Sequence, residues 1–129
     1  MNNTKIPDTI VRFLLTSIDS IPHLEALLLV RQHPDFEWDA DLLAHSLYIQ
    51  PKVAEELLTK LRDSGFLTIL ENTTQIRYKY TYPSLQTRQT IEEISDYYSK
   101  NLILITNLIH NKSAKAQQFA DAFRLRTED

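Results

Sequence analysis

Four histidines, at positions 23, 33, 45 and 110, are the side chains best suited to metal binding or to proton transfer near neutral pH. Asp41 and His45 stand four residues apart, but one such pair holds fewer ligands than a zinc site uses, and there is no His-Glu-x-x-His run. The absence of cysteine removes thiol nucleophiles, thiolate ligands and disulfides, and makes an intracellular, cytoplasmic location the expectation. The serines lie in no nucleophile-elbow sequence, and a single glycine cannot build a phosphate loop. No enzyme, metal or cofactor is therefore expected. Tyr78, Tyr80 and Tyr82 alternate along one segment; they suit base stacking, but more commonly such a ladder is the half-buried face of a sheet. What remains is charge. Lys52, Glu55, Glu56, Thr59, Lys60 and Asp63 recur at helical spacing, so three carboxylates share one face with two lysines. Arg77 and Lys79 share one face of a strand.

The chain has 129 residues, of which 43% are apolar and 24% charged, with a net charge of -3. That is one domain's worth of core, in a soluble globular class rather than a disordered one. No signal-peptide profile opens the sequence, and no apolar run approaches the roughly 20 residues of a membrane span. Hydrophobic periodicity predicts a first helix from Pro7-Asp8-Thr9 to about Asp19, with Ile10, Phe13, Leu14 and Ile18 on one face. Ser20 and Pro22 start a second helix that His33-Pro34 ends. A third helix runs from its cap at Asp39 to about Leu47, and a fourth from Pro51 to Ser64 with Val53, Leu57, Leu58 and Leu61 inward. Gly65 stops it as a left-handed residue. From Phe66 to Tyr82 the period becomes two, giving a hairpin whose loop is Glu71 to Gln75. Pro83-Ser84 then cap a long helix, Leu85 to Lys112, and a last helix covers Ala114 to about Leu125.

Trp38 to Val53, with Ala44 small at the helix crossing and Leu47 and Ile49 filling the turn, resembles the helix-turn-helix of bacterial regulators. Leu57 to Leu67 resembles a recognition helix running into the first strand of a wing. With the long C-terminal helix, the chain is similar in architecture to the dimeric MarR and PadR types, the likeness covering Ile21 to Tyr82. It departs from them at Tyr48, where many such turns have Gly, and at Gln50, where Ser or Thr is the common cap. The fold class implied is mainly α with a small β-hairpin wing: an N-terminal helix over 1–20, a winged helix-turn-helix over 21–83 and a helical dimerisation extension over 84–129.

The resemblance implies a homodimeric transcriptional regulator that binds double-stranded DNA through Gln50, Lys52, Glu55, Glu56, Thr59, Lys60, Arg77 and Lys79. Placing Ile91, Tyr98 and Ile105 at a positions puts Ile94, Asn101 and Leu108 at d, with Leu102 and Ile109 beside them, a stripe wider than one partner helix requires. One side can then pack on the chain's own winged domain and first helix and the other on a second copy; the alternative is a helix buried entirely within the monomer. The tail, with Phe119, Phe123, Arg124 and Arg126, offers a contact for a protein partner. Against DNA stand six cations and nine anions between Ile21 and Tyr82, so the winged segment carries the whole net negative charge. The rival reading is a winged helix that has given up DNA and binds protein.

Overall fold

The computed structural model describes residues 6–70 and 74–112. Among them the chain is mainly α: α1 (Asp8–Ser17), α2 (Ile21–Gln32), α3 (Ala40–Leu47) and α4 (Pro51–Asp63) precede the antiparallel strands β1 (Leu67–Leu70) and β2 (Arg77–Tyr80). Helices α5 (Leu85–Lys100) and α6 (residues 102–112) follow. The last helix expected from sequence, and most of the hairpin loop, lie outside the described residues.

Local chemistry sets the helix starts. Ser20 Oγ accepts from the His23 amide and Asp39 Oδ1 from the Leu42 amide, each satisfying a donor that the first turn leaves free. Pro51 opens α4 without a side-chain cap from Gln50. At the other end of α4, Gly65 has φ 89°, and the Phe66 and Gly65 amides bond to the Leu61 and Arg62 carbonyls at 2.8 and 2.9 Å. This paired arrangement closes the helix and turns the chain into β1. The α3–α4 turn uses the same device with a different residue, since Tyr48 adopts φ 57° and ψ 47° while the Ile49 amide reaches the Ala44 carbonyl at 3.0 Å.

The hairpin pairs Leu67 with Tyr80 and Leu70 with Arg77. A third segment joins it, because Trp38 and Tyr78 exchange both backbone hydrogen bonds, at 2.7 and 2.8 Å. Trp38, beside β2, is buried, and the half-buried Tyr78 and Tyr80 pack against the core. Ile76, expected in the strand, is exposed.

One core takes side chains from every helix: Ile10, Leu14, Leu24, Leu27, Leu43, Ala54, Leu58, Leu61, Ile91, Ile94, Ile105 and Ile109 are all buried. Two expectations need correction. In α4 the inward residue of the first turn is Ala54, while Val53 is 38% exposed. The long C-terminal helix breaks at Asn101, which has φ -135° and ψ 47°. Its Nδ2 bonds to the Tyr97 carbonyl at 3.2 Å, its amide caps α5, and its own carbonyl accepts from Ile105, so one residue ends a helix and starts the next.

Candidate interaction surface

Leu57, Leu58 and Leu61 anchor α4 in the core, and this fixes what it shows to solvent. Lys52, Glu55, Glu56, Thr59 and Lys60 line one shallow exposed face, and Gln50 is exposed just ahead of them. The Thr59 hydroxyl donates back to the Glu55 carbonyl at 3.0 Å, so it is spent on its own helix. The residues singled out on α4 from sequence are therefore brought together. Arg77 and Lys79 lie on β2, whose outward face they share.

Sequence reasoning missed the partners of these cations. Lys60 Nζ lies 3.3 Å from Asp19 in the α1–α2 link. Arg77 is 3.6 Å from Glu37, and Lys79 is 3.9 Å from Asp35, both on the short segment that pairs with β2. Arg62 turns to Asp63 at 2.9 Å. Lys52 alone of the four expected phosphate contacts makes no ion pair among the described residues. Exposed pairs of this kind contribute little stability, but they set the local field: a phosphate approaching Arg77 meets Glu37 as well. The only sequence signal for these pairs was the excess of acid itself, since Glu37 and Arg77 are brought together by the Trp38–Tyr78 bridge and not by spacing.

The expected seam divides. Ile91, Ile94, Ile105 and Ile109 are buried in the chain's own core, and Tyr98 and Leu108 are half-buried against it. Asn101 sits in the helix break. Of the stripe only Leu102, at 53%, stays substantially exposed, joined by its neighbour Ile103 at 74%. Much of that face is occupied within the same chain: α5 packs on α1 and receives Arg31 of α2 at Glu92 and Ser95, and beyond the break α6 returns to the end of α1, where Lys112 Nζ bonds to the Ile18 carbonyl at 2.6 Å. The tail assigned to a protein partner lies outside the described residues.

A buried histidine and a half-exposed ion pair complete the surroundings. His23 is 3% exposed, its Nδ1 accepting from the Asp19 amide at 3.0 Å; burial holds its pKa below the ordinary value, opposed by Asp19 and aided by Lys60 and Lys112. Arg31 grips Glu92 with two hydrogen bonds, at 2.9 and 3.1 Å, which raise the arginine's pKa and lower the glutamate's. No group of His, Asp and Glu suited to a metal ion exists among the described residues. No helix among them is long and apolar enough by itself to cross a membrane. No protein-family model matches the chain, and no curated protein and no solved structure matches it.

Proposed function

We propose that this chain is a winged helix-turn-helix, with α3 and α4 as its two helices and the hairpin as its wing, that acts in the cytoplasm as a protein-interaction module. One observation carries the reading: three of the four cations that a DNA reader would set against phosphates each face a carboxylate of their own chain, and Glu55 and Glu56 stand exposed between Lys52 and Lys60. A surface of that sign favours a partner with basic side chains over a polyanion. Self-association belongs to the same proposal, resting on exposed Leu102 and Ile103 rather than on the buried stripe.

A second reading, a homodimeric regulator bound to duplex DNA, is favoured by Gln50 and Lys52. They are exposed at the N-terminal end of α4, the end that a recognition helix presents to base edges. Titration of a random duplex at about 50 mM salt separates the two. The interaction module gives no detectable binding, and Glu55→Lys with Glu56→Lys creates an affinity that falls as salt rises. A regulator gives binding by the wild type, with a log K against log salt slope of roughly -3 to -7 for at most about eight phosphate contacts. In that case Arg77→Glu with Lys79→Glu abolishes it without unfolding the chain.

A further inference from the structure

The α3–α4 turn holds a tyrosine that the fold does not use. Tyr48 adopts φ 57°, a region that side chains other than Gly and Asn enter at a cost, and its ring is 94% exposed. The turn explains why position 48 is left-handed. It does not explain tyrosine, because Gly would close the same turn without strain and the ring gains no packing in return. A costly conformation with no compensating contact points to a use outside the fold.

Beside the ring lies an open cleft of about 520 Å³ between α2, the turn and α5, lined by half-buried Leu28, Leu29, Leu47 and Tyr98 and by exposed Tyr48 and Glu25. Its charge is simple. Arg31, also on its wall, donates from Nε and Nη2 to Glu92 and from Nη1 to Ser95 Oγ at 3.0 Å, so its charge is answered within the protein. Glu25 makes no ion pair among the described residues. The cleft thus offers aliphatic side chains, two tyrosines, the polar Gln32 and Ser46, and one carboxylate with no ion pair among the described residues.

We infer that this cleft docks a segment of a partner protein that presents an aliphatic side chain beside a lysine or arginine, with Tyr48 as the anchoring wall. Tyrosine suits the task because it supplies a large contact area at little cost in side-chain entropy. A small metabolite does not suit an opening this broad, since such sites bury most of their ligand's surface. A polypeptide can cover the cleft while inserting one or two side chains. The inference rests on the interaction-module reading and names one surface through which it works.

The experiment selects random displayed peptides on the full chain, then titrates synthetic copies of those enriched against wild type, Tyr48→Gly, Glu25→Gln and the Glu55→Lys, Glu56→Lys pair. The expected peptides carry a Lys or Arg close to an aliphatic residue. Tyr48→Gly weakens them at least about tenfold while leaving the melting temperature equal or higher, an outcome that a structural role for the ring would reverse. Glu25→Gln weakens them several-fold, and replacing the peptide cation with norleucine removes that sensitivity. Enriched peptides that are acidic, or that bind Tyr48→Gly and Glu25→Gln as well as wild type, overturn the cleft. If those peptides instead lose binding to the Glu55→Lys, Glu56→Lys pair, the interaction-module reading survives without it. A selection that enriches nothing also overturns the cleft, and the duplex titration then judges the broader reading by itself.

Discussion

His23 is held neutral by what surrounds it. Because Nδ1 accepts the Asp19 amide, the ring hydrogen belongs on Nε2, which is buried without an acceptor among the described residues. A second proton would set one N–H donor against another and place a cation near Lys60 of α4 and Lys112 of α6, with Asp19 the single carboxylate opposing it. The sign follows from the depressed folded pKa: the unfolded chain binds the proton first, so stability is complete above the ordinary value of 6.5 and declines as pH falls below it, until the folded pKa is passed. The decline cannot exceed about 1.4 kcal/mol per pH unit for one proton. Wild type should therefore lose melting temperature between about pH 7 and 5.5, and His23→Gln, which keeps an acceptor for Asp19 but cannot titrate, should lose much less. Equal slopes would show that His23 does not control the window. Glu92 acts separately, because Arg31 holds it below its ordinary 4.5 and its contribution is lost only in more acid solution. From sequence, His23 was legible as a helix residue without a ligand set. Its burial was not, since that depends on helices distant in the chain.

At the scale of elements, most of the fold was legible because its punctuation is local. Ser20, Asp39 and Pro51 open helices by satisfying or lacking a donor in the first turn, and Gly65 closes one, all within a few residues. Two features escaped. Apolar periodicity runs straight through Asn101, because α5 and α6 each bury a face in the same core; the break is marked by the backbone angles of Asn101 and by its side-chain bond to the Tyr97 carbonyl, neither of which spacing reveals. The Trp38 bridge to Tyr78 is a pairing across forty residues of chain, and with it came the acids that stand beside Arg77 and Lys79. Gly65 tests the α4–β1 junction. A Cβ there would stand 3.0 Å from Pro83 Cγ on a backbone at φ 89°, so Gly65→Val meets both an unfavourable conformation and a neighbour that must give way. The expected cost is about 1–3 kcal/mol, read from urea denaturation as a lower midpoint at unchanged slope. A midpoint equal to wild type would mean that the junction relaxes into another turn.

For the whole molecule, most of the stripe that would face a second copy is used internally, with Leu102 left exposed beside the break at Asn101. A charge placed in it then acts on folding and not on assembly. Ile105 is fully buried, so Ile105→Asp leaves a carboxylate in the core without a partner, a penalty of about 3–5 kcal/mol or more. That is comparable to the entire stability of many domains of this size, and the variant should lose its cooperative thermal transition instead of yielding folded monomer. Ile103, two residues earlier and 74% exposed, gives the contrast: Ile103→Asp should change stability by no more than about 0.5 kcal/mol, because its side chain gains little from the monomer's core. Sedimentation equilibrium on wild type and on Ile103→Asp then reads assembly without interference from folding. If copies meet over Leu102 and Ile103, wild type associates and the variant sediments as folded monomer, since an exposed carboxylate is harmless alone but costly when a partner excludes water from it. Wild type that is already monomeric at micromolar concentration would remove self-association from the proposed function, leaving the face of α4 and the cleft beside Tyr48 as the surfaces on which a different protein would have to bind.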